Sequence, residues 1–334
     1  MRVAFLTLLT ITGLAFCAAE AQAQGTAPAA PKAARTGILL FAHGGRVESW
    51  NEEVRHIADQ VDLKVPTEVA FGMATRSSLQ GAADRLNARG VTEIVAVPLF
   101  VSSHSSVIES TAYLLGLKPT APEDLKMFAA MDRGSVNQGS GMDMSHMDME
   151  HMPANAVAMQ PIHSKAPIHM ASALDHHVLV ADILRDRAAT ISKNPAQEVV
   201  ILVAHGPVPD DENLLWLADM KVLAEQVKTG SSYSAIDYMT LRDDADDPVR
   251  DKASSEVRDK VQRITNSGKT ALIVPLLLSF GGIENGLQDR LKGLAYRMPT
   301  QGVLPDVRIV TWVLDSAAGS ASNTALKAVS TASN

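Results

Sequence analysis

The chain has 334 residues, of which 46% are hydrophobic and 20% are charged, and its formal net charge is -7. This length is sufficient for one large domain or for two domains of ordinary size. The acidic balance gives no general attraction to nucleic acid or to an anionic membrane surface, so it favours cations as partners. No long apolar run follows the N-terminal segment, and we therefore expect no membrane span in the mature chain.

The N-terminus has the pattern of a secretory signal peptide. A basic start and an apolar run over residues 3–16 precede the small-residue cleavage pattern AQA at residues 21–23. We predict a signal peptide over residues 1–23, a spacer over residues 24–36, and a periplasmic or secreted mature protein. Cys17 is the only cysteine and is removed with the signal, so the mature chain has neither disulfides nor thiolate ligands.

Alternating strands and helices follow the spacer. TGILLFAHGG predicts a buried strand that ends in a glycine-rich turn, and the apolar spacing between Val47 and Val61 predicts a helix. The same order continues with a strand, a helix, a strand and a helix, over residues 67–72, 77–89, 91–100 and 106–115 respectively. This order is typical of a parallel sheet covered by helices.

A second copy of the pattern begins at Glu198. EVVILVAHGP repeats the first strand and its AHG turn, and Pro275 in TALIVPLLLSF corresponds to Pro98 in TEIVAVPLFVS. The repetition predicts an α/β fold with two similar lobes, each a parallel sheet flanked by helices. We place the lobes at residues 37–190 and 198–315, followed by a flexible tail over residues 316–334.

The region between the copies is rich in Gly, Ser, Met, Asp and His and has little apolar periodicity. We predict a mobile insertion over about residues 119–165. The closing strand of the first lobe is either LKMFAAM or KAPIHMAS. An insertion that follows this strand would emerge at the carboxyl edge of the sheet, and one that precedes it would emerge at the opposite edge.

Histidines follow two strands of the first lobe. His43 comes directly after the first strand and His104 comes after the strand that ends at Phe100, so both are expected at the carboxyl edge of one sheet. Two imidazoles with a carboxylate such as Glu48 or Glu109 would hold a divalent first-row metal. The alternative, in which a histidine of an AHG turn bonds only to the backbone, stays open at this point.

The second lobe lacks one of these histidines. Gly281 and Gly282 stand where a counterpart of His104 would fall, and only His205 of the AHG turn remains. We therefore expect no complete site in that lobe.

LLFAHGGR, VPLFVSSH and ALDHHVLVADILRDR resemble the motifs of the CbiX-type sirohydrochlorin cobaltochelatases, the class II chelatases. The resemblance covers residues 37–117 and 168–189, and more weakly residues 198–314. It implies a two-lobe chelatase fold and a lyase of tetrapyrrole and cobalamin biosynthesis that inserts a divalent metal into sirohydrochlorin or a similar tetrapyrrole without ATP. It also implies that His43 and His104 bind the metal, which would be cobalt, nickel or iron, and assist pyrrole deprotonation. Glu109 is then a third ligand or an acid/base group.

The segment GMDMSHMDMEHM at residues 141–152 predicts a second metal site. Thioether sulfur suits Cu(I), whereas imidazole and carboxylate suit Cu(II), Co(II) or Ni(II). The other interpretation is a linker of accidental composition, and a third is that the whole protein binds or delivers copper, cobalt or nickel on a chelatase fold without turnover. No particular protein partner is indicated. The predicted ligands are Met142, Met144, His146, Met147, Met149, His151 and Met152.

Four further histidines extend this group in sequence. They are His163, His169, His176 and His177, of which His176 and His177 are equally well explained as ordinary residues at the start of a helix. His56 precedes an apolar helical position and is expected to face solvent.

Overall fold

The structure is a computed structural model that describes residues 35–45, 47–135 and 156–332. The predicted signal peptide at residues 1–23 and the methionine- and histidine-rich segment at residues 141–152 lie outside the described residues.

The first lobe is a four-stranded parallel sheet with the strand order β2-β1-β3-β4. Its elements are β1 (Thr36–Ala42), α1 (Glu48–Asp62), β2 (Thr67–Phe71), α2 (Arg76–Ala88), β3 (Glu93–Leu99), α3 (Ser106–Leu114), α4 (Leu125–Ser135), β4 (Ile168–Met170) and α5 (Val178–Ile191).

The second lobe repeats this arrangement with the strand order β6-β5-β7-β8, again all parallel. Its elements are β5 (Glu198–Ala204), α6 (Asp210–Thr229), β6 (Ala235–Thr240), α7 (Asp247–Asn266), β7 (Thr270–Leu276), α8 (Ile283–Arg290), β8 (Tyr296–Arg297) and α9 (Arg308–Ala332). The predicted α/β fold of two similar lobes is confirmed.

The two proline positions occupy the same register in their sheets. Pro98 pairs with Phe41 and Pro275 pairs with Val203, each one residue before the carboxyl end of its strand. Proline lacks the N–H that a central strand needs. It is tolerated here because the outer strands β4 and β8 are short and pair only with the earlier residues of β3 and β7.

The closing helix of each lobe packs against the sheet of the other lobe. α5 follows the last strand of the first lobe but packs against β7, and α9 follows the last strand of the second lobe but packs against β3 and β4. The inner faces of both sheets therefore share one apolar core, in which Trp312 of α9 and Leu184 of α5 are almost completely buried. Because this core spans both lobes, the two sheet edges are held in a fixed relation.

The predicted insertion is wrong in part, because residues 125–135 form helix α4. Leu125 and Phe128 are buried in the core on the outer face of the first sheet, so apolar side chains three residues apart supply the amphipathic spacing of a packed helix. LKMFAAM is thus helical, and KAPIHMAS contains the closing strand β4.

The segment before β4, at residues 156–167, packs along α2. Arg76 in the first turn of this helix donates a hydrogen bond to the Gln160 carbonyl, and Asn87 near its end accepts one from the Ala166 amide, at 2.8 and 3.2 Å. α2 begins just after the carboxyl end of β2. The part of this segment near Gln160 therefore lies close to the carboxyl edge of the first sheet. A segment that precedes a strand was expected at the opposite edge.

The predicted flexible tail also differs from the structure, because α9 continues as a helix from Arg308 to Ala332. Ile309, Trp312 and Val313 pack the first part of this helix into the shared core, and Ala317, just inside the predicted tail, is also buried. Within the described part of the chain, no helix has the length and apolar character needed to cross a bilayer.

Candidate functional site

His43 lies at the carboxyl edge of the first sheet with an exposed side chain. Its Nδ1 is 2.5 Å from the carbonyl oxygen of Gly44. A carbonyl only accepts, so Nδ1 carries the proton and Nε2 keeps its lone pair. The backbone bond considered from the sequence is present, and it leaves the second ring nitrogen free to bind an ion or a proton.

Trp50 supports the His43 ring and was not identified from the sequence. The two rings are stacked, with centroids 5.7 Å apart and an interplanar angle of 6°. The indole also lies directly over Gly45, where an added Cβ would come within 2.2 Å of the Trp50 ring. A glycine at this position is therefore required for Trp50 to reach His43.

The loop that carries His104 is held by the loop after β4. The Asp175 carboxylate accepts hydrogen bonds from the Ser103 amide and the Ser103 hydroxyl, at 2.6 and 2.8 Å. The Ser103 hydroxyl oxygen in turn accepts one from the Ala173 amide. These contacts fix the backbone directly before His104, whose side chain is 40% exposed. Since β1 and β3 are adjacent, His43 and His104 both follow the same edge of one sheet.

Helix α6 of the second lobe contacts the His104 loop at three positions. The Trp216 indole N–H donates to the His104 carbonyl oxygen at 2.6 Å, and the Ser106 hydroxyl donates to Glu212 at 3.3 Å. Asp219 lies with one carboxylate oxygen 3.7 Å from His104 Nε2. Burial raises the pKa of Glu212, and the negative charges of nearby acidic residues add to this rise, although the hydrogen bond from Ser106 opposes it.

The carboxylates that were expected to assist the histidines are engaged elsewhere. Glu109 pairs with Lys118 at 2.6 Å, and Glu48 pairs with Arg55 at 2.5 Å. The hydrogen bond from Arg55 lowers the pKa of Glu48. Among the described residues, no three His, Asp, Glu or Cys side chains are grouped so that they could hold one metal ion. The structure therefore does not support Glu109 as a third ligand beside His43 and His104.

The second lobe keeps only half of this arrangement. His205 Nδ1 lies 2.9 Å from the Gly206 carbonyl, as His43 Nδ1 does from the Gly44 carbonyl, but His205 Nε2 faces the Asp244 carboxylate at 3.4 Å. At the position of the missing histidine, the buried carboxylate of Glu284 accepts hydrogen bonds from the amides of Gly281 and Gly282. The Glu284 side chain thus accepts the hydrogen bonds that the amides of this turn can donate.

The remaining histidines have separate places. His176 Nδ1 donates to Asp219 at 2.7 Å, whereas His177 caps α5 by accepting a hydrogen bond from the Leu179 amide. His169 lies in β4, and the His163 backbone is bonded to the Gln80 side chain beside α2. His56 is exposed on α1, as predicted. Among the remaining histidines that the structure describes, only His176 joins the surroundings of His104, through its contact with Asp219, 43 residues away in sequence, which no local pattern indicates.

An exposed imidazole, His43, and a partly exposed one, His104, follow one sheet edge, and such a pair suits a weakly bound divalent cation. A neutral imidazole binds first-row metals through its lone pair and also accepts a proton near neutral pH. With only two such donors, most of the coordination sphere of an ion would stay open to a second molecule.

Residues 37–131 match the model of the CbiX family. A sirohydrochlorin cobaltochelatase of Methanococcoides burtonii is 25% identical over 160 residues, which cover 47% of this chain and 97% of that protein. A sirohydrochlorin cobaltochelatase of Methanothermobacter thermautotrophicus is 31% identical over 85 residues, which cover 25% of this chain and 59% of that protein.

Two solved structures share the fold. SirB from Bacillus subtilis, solved with Fe3+, has a TM-score of 0.55 and 16% identity, with 87% of this chain and 97% of that chain covered. A multi-domain protein of Deinococcus radiodurans with structural similarity to chelatases has a TM-score of 0.51 and 17% identity, with 85% and 55% covered. At these identities the likeness concerns the fold alone.

Proposed function

We propose that the protein inserts a divalent metal ion into a tetrapyrrole without ATP, and that His43 and His104 carry the reaction; the match of residues 37–131 to the model of the CbiX family supports this proposal. The observation that carries this proposal is the state of His43, whose Nδ1 is bound to the backbone and whose free Nε2 lies at the sheet edge that His104 also follows.

The reaction needs a group that binds a metal loosely and also accepts protons. The ion sheds water, two pyrrole N–H bonds break, and the metal gains four bonds to the ring nitrogens while two protons leave; no electrons are transferred. A single lone pair on each imidazole can serve both steps in sequence, first on the ion and then, once the ion has moved to the macrocycle, on a pyrrole proton. His43 is exposed and His104 is partly exposed, which gives a flat substrate access to their rings.

Trp50 would keep the first imidazole in a productive orientation. The stacked indole and the bond to Gly44 restrict both the tilt and the rotation of the His43 ring. Restricting the ring before the ion arrives lowers the entropic cost of reaching the reacting geometry.

We propose sirohydrochlorin as the tetrapyrrole and cobalt as the metal, with nickel and iron as the other metals to compare. The names of the two relatives, both sirohydrochlorin cobaltochelatases, support this choice of substrate and metal. A lyase of this kind supplies metallated tetrapyrroles, such as those that lead to cobalamin.

Metal insertion followed by absorbance tests the proposal. The purified mature protein, mixed with sirohydrochlorin and Co(II), should accelerate insertion over buffer. His43→Ala and His104→Ala should each lower the rate by roughly 100-fold or more, the usual scale of a general base. The exposed His56→Ala is the matched control and should retain the wild-type rate. A folded wild-type protein that gives no acceleration, or an unchanged rate in both site variants, would contradict the proposal.

For the segment at residues 141–152 we propose binding of soft or borderline metals, with Cu(I) on the methionines and Cu(II), Co(II) or Ni(II) on the histidines. Its composition of five methionines and two histidines supports this. If it is the main metal site, the protein is a metal-delivery protein that keeps the fold without turnover. Equilibrium dialysis against Cu(I) and Co(II), with and without these residues, separates the two functions. Unchanged binding after the deletion would exclude delivery through this segment.

We also propose export to the periplasm or outside the cell, which is supported by the signal-like pattern of residues 1–23. N-terminal sequencing of protein recovered from the periplasm should find Gln24 as the first residue. Retention of Met1 in a cytoplasmic fraction would contradict it.

A further inference from the structure

The second lobe presents one face of α6 to the loop that carries His104. The contacting residues Glu212, Trp216 and Asp219 are four and three positions apart, which places them on one side of the helix. The loop belongs to the first lobe, so a residue of the proposed site is supported by the lobe that lacks a complete site of its own.

Asp219 is placed to act on the ring itself. Its Oδ1 accepts a hydrogen bond from His176 Nδ1 at 2.7 Å, and its Oδ2 faces His104 Nε2 at 3.7 Å. Within the described part of the chain, Oδ2 is buried and accepts no hydrogen bond. A buried carboxylate oxygen without a donor is unfavourable, and His104 Nε2–H would satisfy it after a shift of about 0.8 Å to ordinary hydrogen-bond distance.

The backbone of His104 is held at the same time. Trp216 donates to its carbonyl oxygen, and Asp175 accepts from the amide of the preceding residue, so the backbone that carries the ring is held beside Asp219. The two histidines of the site are therefore oriented in different ways: His43 by its own lobe through a backbone carbonyl, and His104 across the lobe boundary through a carboxylate.

We propose that Asp219 is a positioning residue that accepts the Nε2–H of His104 and leaves the Nδ1 lone pair for the metal. This inference rests on the proposed function of His104 as a metal-binding residue. A carboxylate behind a metal-binding imidazole sets its tautomer and orientation and raises its basicity, and loss of such a partner usually weakens metal affinity about 10- to 100-fold. His176 holds the carboxylate in place from its other oxygen.

Binding of Co(II) to Asp219→Asn tests this role, with residues 141–152 deleted from wild type and variants alike so that the second proposed metal site does not contribute. We expect the dissociation constant for Co(II) to rise about 10- to 100-fold, and the visible d–d bands of the bound ion to change. The matched control is Glu225→Gln, an exposed residue of the same helix, which should bind as the wild type does. If the wild type binds Co(II) and Asp219→Asn binds it within twofold, the positioning role is overturned while the proposed function stands. If the wild type itself neither binds nor inserts Co(II), the proposed function fails instead.

A measurement on the metal-free wild-type protein avoids any dependence on the folding of the variant. Long-range 1H–15N spectra of protein labelled with 15N-histidine report which ring nitrogen carries the proton, and His104→Gln assigns the signal. We expect His104 protonated at Nε2, the reverse of His43. A His104 ring protonated at Nδ1 would overturn the inference whatever the activity of the enzyme.

Discussion

Glu198 at the start of β5 allows a quantitative prediction. The carboxylate is 1% exposed and accepts hydrogen bonds from the Ser192 hydroxyl, the amides of Lys193 and Asn194, and Arg297 of β8. Burial raises the pKa of Glu198, but these four partners outweigh it and lower the pKa from 4.5 to about 2. The residue thus joins the end of α5 to both the first and the last strand of the second sheet.

The sign of the pH dependence follows from the lowered pKa in the folded state. The ionised carboxylate stabilises the fold fully above pH 4.5, and this stabilisation is lost as the pH falls towards 2. At about 1.4 kcal/mol for each pH unit, the contribution is on the order of 3 kcal/mol at pH 7 and about 1.4 kcal/mol at pH 3. Glu198→Gln should therefore lower the free energy of unfolding by about 3 kcal/mol at pH 7 and by less than half as much at pH 3.

Urea unfolding at the two pH values measures this difference. Glu256→Gln is the matched control, because Glu256 is 59% exposed on α7 and its distance to Lys252 is 4.0 Å. Such a surface pair contributes about 0 to 1 kcal/mol, so this variant should unfold nearly as the wild type does at both pH values. If Glu198→Gln costs the same at pH 3 as at pH 7, or costs nothing at either, then Glu198 is not the ionised link that its hydrogen bonds indicate.

Three further substitutions test contacts at the site and in the core. Gly45→Ala should lower the free energy of unfolding by about 1 to 3 kcal/mol, because the added methyl group meets the Trp50 ring; wild-type stability in urea would contradict this contact. Phe128→Ala should lower the free energy of unfolding by about 3 to 5 kcal/mol in the same assay, because Phe128 of α4 is buried in the core. A loss below about 1 kcal/mol would show that α4 is not packed in the core. Trp216→Phe removes the hydrogen bond to the His104 carbonyl and should cost about 1 kcal/mol in thermal unfolding; an unchanged melting temperature would show that the bond does not form in solution.

The two lobes differ chemically although their strands superimpose in order and register. In the second lobe, Glu284 occupies the backbone amides of the glycine turn that replaces the second histidine. The amides of that turn therefore have hydrogen-bond partners within the second lobe. By contrast, α6 of the same lobe directs Trp216 and Asp219 towards His104 of the first lobe. The first lobe thus carries the two histidines of the proposed site, and the second lobe contacts one of them.

The repeated α/β order and the position of the histidines follow from the sequence alone. The apolar runs and the AHG turns predict strands whose ends are near His43 and His205. His104 follows another predicted parallel strand, which predicts the same carboxyl edge for it, whereas the structure shows that the strands before His43 and His104 are neighbours. Each of these inferences depends only on local periodicity and on the geometry of a parallel sheet.

Only the tertiary structure decided which lobe each closing helix covers and what lies behind His104. The contacts of His104 with Trp216 and Asp219 cross more than 100 residues, and they depend on how α5, α6 and α9 pack between the two sheets. Local periodicity indicates that a helix has an apolar face, but it does not say which of two similar sheets will bury that face. The choice depends on the combined packing of both lobes, which no single segment of the chain contains.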